Sequence, residues 1–567
     1  MQRALLFAAI VSLTACGGTT EPSATDAASP GAARAVTKAS VAPGRAAREV
    51  AVKTTVPVFE PLTLVPSDTV AVVRIASMAA LEDAILKVSA IAERAGNPVP
   101  IRNSLMLAFA QAGVEWNKVR EREPIVVAVR LPAGKSEPEF IAYLPVALAG
   151  PSNDVAQQTE VEGDYLALTQ PGKSVPAAAP PDWCDGVPAG LMRARVDAKA
   201  LLKRFGPLVP MALQSFMPAG DTPPELAAEV ARQQAELLAM IQSVRQLDLT
   251  VDLDGGQLEL AAALDVEGGP IAASASQRGN ALASLARHLS LDAPLAGALS
   301  FDVDNAEQSG AEQLSAMLGV VPEPMRATLS ALHDASLSFL GAFEPGAITL
   351  VDPTPGSMYV AWIMSSKDPA RSRDALGELL GAVDFDALGF DLSLPVRSRI
   401  GGAVVENFAL RFDTRRLDFD ARAQMRTAFE SFLGDESVHI MIATSGQEVM
   451  FVLGGDTPAT QARIRAFSNP SGIPDELKAG LAAIGDSNPA SVWRVDAARL
   501  LTLGAEFNAA ATGGSAAAAR RDALRTQPNL GSVPLVLWGG TRTDSAFGGL
   551  SVDLDDLESA MRLLGPR

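Results

Sequence analysis

Two cysteines, three histidines, two Gly-Lys-Ser tripeptides and four groups of closely spaced aspartates are the parts of this 567-residue chain whose types could carry chemistry. A lone cysteine serves as a disulfide half, a nucleophile, a metal ligand or an attachment point. Cys184 sits in PPDWCDGVP, beside Trp183, with an aspartate next to it and no His or Lys close in sequence to favour its thiolate, so it reads as inert. His288, His333 and His439 occur as ARHLS, LHDAS and VHIMI, without metal-ligand spacing, and read as structural. His288 closes a helix, where positive charge suits the dipole, and His439 alternates with apolar neighbours on a strand.

The tripeptides Gly134-Lys135-Ser136 and Gly172-Lys173-Ser174 resemble the end of a phosphate loop only superficially. That loop needs a glycine five positions earlier, where this chain has Val129 and Ala167, and a helix afterwards, where it has Glu-Pro and Val-Pro. Both read as turns between strands. The pairs Asp252/Asp254, Asp302/Asp304 and Asp418/Asp420 and the group Asp553/Asp555/Asp556 put carboxylates on one side of a strand, but none satisfies the glycine and terminal glutamate of the twelve-residue calcium loop. They read as solvated strand faces and helix N-termini. Neither a G-x-S-x-G elbow nor an S-x-x-K pair occurs, so no motif supports nucleophilic serine chemistry. No cofactor, metal or catalytic residue is expected, and the chain reads as a non-enzyme.

Cys16 is different. Arg3, the apolar run ALLFAAIVSL and the small pair Thr14-Ala15 before it have the layout of an export signal, too short to span a bilayer. Leu13-Thr14-Ala15-Cys16 resembles the lipobox of bacterial lipoproteins. The resemblance implies removal of residues 1–15, a diacylglycerol on the Cys16 sulfur and acylation of the new amino terminus, so that several acyl chains hold the protein where one would not. Gly17 lacks the acidic character that retains such proteins at the inner membrane. The expected location is therefore the outer membrane, at its periplasmic face or at the cell surface.

The elements behind these residues follow from composition and period. A net charge of −18 excludes the cationic face that nucleic acid requires and disfavours anionic headgroups. Apolar residues make up 48% of the chain but aromatics only 5%, so the core must be built from Ala, Val, Leu and Ile, with no platform for stacking bases or sugars. Residues 16–57, rich in Ala, Ser, Thr, Gly and Pro, read as a flexible tether with a reach on the order of 35 Å.

Beyond the tether the chain resembles itself. RVDAKALL at 195–202 and RVDAARLL at 494–501 share six of eight residues, and RIASMAAL, DVDNAEQS and RFDTRRLD are weaker versions. Each follows a β-rich run and precedes a helical pattern, with Ser77, Asp197, Asp304, Asp413 or Asp496 placed to cap the helix. Alternating strands follow, joined in one case at Asp254-Gly255, a hairpin signal. The expectation is an α+β body of tandem β-α-β-β-α units at 58–180, 181–291, 292–386, 387–470 and 471–567, with mainly antiparallel sheets covered by helices. Such units resemble the ferredoxin-like arrangement if each borrows the next unit's first strand. The first departs from the pattern, with strand-like runs at 124–131, 138–147 and 164–169 and no closing helix.

Tether, repeats and missing reactive constellation together favour a lipid-anchored module that binds a protein or acts as a scaffold. The alternative is a carrier or sensor of lipid-like hydrophobic ligands, held between sheet faces lined by small side chains.

Overall fold

Runs of β-branched and apolar residues produce strands at TVAVVRI and LELAAALDV, but ASLSFLGAF at 335–343, which the same reading predicts as a strand of the third unit, falls mostly within the helix Glu323–Gly341. The computed structural model describes residues 60–94, 101–135, 137–146, 156–184, 190–209, 224–275, 280–290, 292–301, 323–386, 390–412, 433–435, 437–500 and 532–556, with positions 187, 430, 502, 503 and 558. Cys16, the tether, Ser136, Asp302, Asp304, Asp413, Asp418 and Asp420 lie outside the described residues.

The first stretch holds β1 (Thr69–Ile75), α1 (Met78–Arg94), α2 (Ile101–Gln111), β2 (Ile125–Arg130), β3 (Glu139–Leu144), β4 (Gln157–Val161) and β5 (Tyr165–Thr169). The second holds β6 (Met192–Asp197), α3 (Ala198–Phe205), α4 (Pro224–Ser243), β7 (Val244–Asp254), β8 (Gln257–Val266), α5 (Gly269–Ser274) and α6 (Leu282–Leu285). The third holds β9 (Leu295–Leu299), α7 (Glu323–Gly341), β10 (Phe343–Asp352), β11 (Tyr359–Ser366) and α8 (Pro369–Ala382). The fourth holds β12 (Phe390–Leu392), β13 (Val396–Ile400), β14 (Ala403–Phe412), β15 (Val438–Ser445), β16 (Glu448–Gly454) and α9 (Pro458–Ser468). Helix α10 (Asp475–Ile484) then leads into β17 (Ala490–Asp496), β18 (Pro534–Arg542) and β19 (Ser545–Asp553).

The described junction residues do cap their helices. Ser77 Oγ accepts from the Ala80 N–H at 3.1 Å, Asp197 Oδ1 from Ala200 at 2.9 Å and Asp496 Oδ1 from Arg499 at 3.1 Å. Each satisfies a free first-turn donor.

All nineteen strands among the described residues join one antiparallel sheet in an α+β fold. Its spatial order, traced through the pairings, is β4-β5-β3-β2-β1-β6-β7-β8-β19-β18-β17-β9-β10-β11-β16-β15-β14, with β13 and β12 end to end on the outer side of β14. Each stretch contributes a three-stranded meander whose first strand pairs with its own second. Neighbouring meanders meet first strand to first strand (β1 with β6, β17 with β9) or third to third (β8 with β19, β11 with β16). The ferredoxin-like expectation is therefore corrected: a split β-α-β unit would insert the third strand between the first and second, whereas in each described meander the first strand pairs directly with the second. The last meander closes the middle of the sheet, between the second and the third.

Registers separate the two faces. On one face, Ile348, Leu350, Ala361, Ile363, Val405, Met441, Met450 and Val492 form a sealed core under α6, α9 and α10. On the opposite face, Ala347, Met364, Ile442, Val449 and Phe451 pack under α7 and α8, and at the far end Ile125, Leu144 and Leu166 pack against Met78 of α1 and Phe109 of α2. Two strand glycines have a packing reason. A Cβ on Gly297 would lie 2.2 Å from the Trp493 ring, and one on Gly549 2.3 Å from the Trp538 ring. Each indole therefore covers the glycine on the neighbouring strand, and Trp493 seals the seam between β17 and β9.

Candidate binding face

Between the two helix-covered ends of that second face lie β6, β7, β8, β19 and β18. Their LDLTVDL, LELAAALDV and GGLSV patterns turn leucines to one side and acids, serines and threonines to the other. Val251, Leu260, Leu550 and Leu537 form one cross-strand row, and Leu249 stands opposite Ala262 in the next. Leu249, Leu260 and Leu537 remain 42%, 40% and 39% exposed, whereas the same sheet's Ile348 and Leu350 are fully buried. Gly539 and Gly548 face each other beside the row and keep the surface low.

The opposite face of β6 and β7 is polar and paired, whereas on that face β18 packs Val536 and Trp538 against α10. Arg195 Nε donates to Asp248 Oδ1 at 2.7 Å and its Nη2 to Oδ2 at 3.0 Å, while Arg193 Nη2 donates to Asp252 Oδ2 at 2.5 Å. Asp252 also accepts from the Leu191 N–H at 2.9 Å. Its carboxylate is thus occupied by protein partners. Among the described residues no three His, Cys, Asp or Glu side chains converge to hold a metal ion.

The two glycine-lysine pairs have a shared structural use. Gly134 and Gly172 adopt φ of 78° and 74° in turns, as the turn reading expects, and both turns aim their lysines at one carboxylate. Lys135 Nζ and Lys173 Nζ donate to Glu139 Oε1 at 2.6 and 2.9 Å, and Arg130 Nη1 donates to Oε2 at 3.1 Å. Glu139 is 6% exposed. The hydrogen bond from Lys135, followed by that from Lys173, outweighs burial and lowers its pKa from 4.5 to about 2. Asp556 shows the reverse: burial first and Asp553 second raise it from 3.8 to about 6.

The histidines lie apart. His288 Nε2 is 2.9 Å from Glu448 Oε2 and its ring packs on Phe467. His439 contacts Asn407 through Nδ1 at 2.9 Å and Asp435 through Nε2 at 3.1 Å, and His333 lies within α7. Cys184 is buried in a short 3-10 turn, Asp182–Cys184, out of reach of solvent.

Two partly open clefts of about 460 and 500 Å³ lie where α1 passes the tip of the β7–β8 hairpin. Acids rim both: Asp553 and Asp555 line one, Asp83, Asp252, Asp254 and Glu259 the other. Sequence reasoning missed the exposed leucine face, although its signal is present. The alternation predicts an apolar face covered by helices, yet over these strands that face remains half open.

No family model matches the chain, and no curated protein matches it. Among solved structures, crystal forms III, IV and I of TP0453 are similar at 9%, 10% and 8% identity, covering 49%, 49% and 50% of this chain and 97%, 96% and 97% of theirs. Their TM-scores are 0.22, 0.22 and 0.20, a likeness too slight to carry an argument about fold or function. No helix among the described residues is long and apolar enough to cross a membrane.

Proposed function

We propose that this chain is a lipid-anchored, non-catalytic scaffold at the outer membrane that docks a protein partner on the leucine face of its central strands. The observation that carries this reading is the row Val251, Leu260, Leu550 and Leu537, apolar and half exposed between two helix-covered ends of one face. Contiguous apolar surface of that kind marks an interaction site. A protein suits it better than a bilayer, because the chain carries a net charge of −18 and anionic headgroups repel it. It also suits it better than a lipid carrier, since the sheet's cores are sealed and the two clefts are acid-rimmed.

Affinity capture from detergent-solubilised membranes tests the face. The wild-type chain is expected to retain a specific protein that a Leu249→Arg/Leu260→Arg variant of unchanged circular dichroism loses. Equal recovery by both chains, or bound lipid in native mass spectrometry with no protein partner, would count against it. The anchor is tested separately by metabolic labelling with an alkyne fatty acid. The wild-type chain should be labelled and Cys16→Ala should not, and label retained in the variant refutes the anchor.

A further inference from the structure

The sheet ends in two unlike edges. At one end β4 reads QQTEV, with Glu160 exposed. At the other β13 reads VRSRI, with Arg397 and Arg399 exposed on an otherwise acidic protein, and with Val396 67% and the preceding Leu394 87% exposed. Among the described residues, no strand pairs with the outer side of either. Arginines on an edge strand also discourage unwanted pairing, but two exposed apolar side chains beside an edge that no described strand covers invite it.

We propose that a second copy of this chain adds its β4 edge to the β13 edge of the first, so that the sheet continues head to tail from copy to copy. Three features of the fold agree on this occupant. First, β4 and β13 stand first and eighteenth across a sheet in which every neighbour is antiparallel. With an even number of positions, a copy displaced along the sheet presents β4 antiparallel to β13, in keeping with every existing pair.

Second, the register is already set. The cross-strand row through Leu260 runs from Glu160 through Leu166 and Leu144 at one end to Phe451, Ile442, Glu406 and Arg397 at the other. Continuing that row brings Arg397 opposite Glu160 of the second copy, on the same face. Both strands are five residues long, so this register pairs them end to end and sets Val396 against Val161.

Third, the charges complement one another. Arg397 Nη2 lies 2.9 Å from Glu406 Oε1 on its own sheet, and Glu160 of the second copy would flank it from the other side. Opposite charges facing across strands stabilise the pair and like charges oppose it. A symmetric β13-to-β13 dimer would bring arginines together, so the contact is heterologous and generates an open chain of copies rather than a closed pair. It uses neither the leucine face nor the lipid, and stands or falls apart from the reading above.

Sedimentation velocity of the full chain in detergent, over a wide range of concentration, tests the proposal. The mean mass should rise with concentration and pass beyond a dimer. Arg397→Glu alone and Glu160→Arg alone should each weaken association about tenfold or more, with unchanged circular dichroism. An equimolar mixture of the two variants should restore it, because each supplies the charge that the other's edge now needs. A wild-type chain that stays monomeric, variants that associate like the wild type, or a mixture that stays dissociated overturns the proposal. So does failure of Thr159→Cys and Ser398→Cys copies to cross-link when mixed under oxidation, with the wild-type chain as the control for Cys16, since that register would bring the two Cα atoms within disulfide range.

Discussion

The third and fourth meanders, β9 to β11 and β14 to β16, and the second meander with β18 and β19 belong to one sheet, yet their strands are held by different forces. In the former, both faces carry apolar residues and both are roofed: Ile348, Leu350 and Ile363 under α6, α9 and α10, Ala347, Met364 and Phe451 under α7 and α8. In the latter, β6 and β7 are tied on one face by Arg193–Asp252 and Arg195–Asp248, β18 packs Val536 and Trp538 of that face against α10, and the other face presents half-exposed leucines. The hydrophobic effect scales with apolar area removed from water, so the first region supplies most of the stability. The second leaves part of its apolar face in water and gains less from burial. A single sheet thus divides its labour by which stretches of face its helices reach.

Substitutions can break this contrast. The largest effect is expected at Leu350→Ala, which empties a fully buried site in β10 and should cost about 3 kcal/mol. The same truncation at Leu260, 40% exposed, should cost under about 1 kcal/mol. Urea midpoints with unchanged slopes measure both, and equal losses would erase the distinction between the regions. Next comes Gly297→Val, which must displace Trp493 from the seam joining the last meander to the third. About 2 kcal/mol and a red-shifted tryptophan emission are expected, and a variant as stable as the wild type would show that the seam is loose.

Glu139→Gln comes third, at roughly 1 to 2 kcal/mol near neutral pH. The folded-state pKa of Glu139 is depressed, so its contribution is present above about 4.5 and is lost as the pH falls from there toward about 2. The wild-type chain should lose stability across that window, while the variant's curve should lack that component. Parallel curves would refute the convergence of Lys135, Lys173 and Arg130 on this carboxylate. The smallest effect belongs to Asp556→Asn. Because the Asp556 pKa is raised from 3.8 to about 6, the folded wild-type chain loses stability as the pH climbs through that interval. The variant should melt slightly higher at pH 7 and no differently at pH 3, and a lower melting point at pH 7 would contradict the sign.

Much of the fold was legible in local pattern. The hairpin at Asp254-Gly255 appears with Gly255 and Gly256 at φ of 57° and 94°, and the caps at Ser77, Asp197 and Asp496 form as their position after a strand implies. These depend on neighbours within a few residues. The pairing of β17 with β9 and of β19 with β8 was not legible, since antiparallel partners some two hundred and three hundred residues apart leave no periodic trace in either strand. The candidate face was half legible: its leucines were in view, but their exposure depends on which helices fold back over them. Strand β4, polar and short, gave no apolar alternation to detect.

The sequence by itself determined the kinds of element, the caps, the turns at Gly134 and Gly172 and the acidic, aromatic-poor character of the surface, because short-range sterics, hydrogen bonding and charge decide each of them. Only the tertiary structure decided that five meanders share one sheet, that the last of them closes its middle, and that Lys135 and Lys173 meet on Glu139. It also decided that one run of leucines stays in the light while its neighbours are roofed. These outcomes depend on which edges find each other and which faces helices cover, a competition among distant segments that no single stretch of chain records.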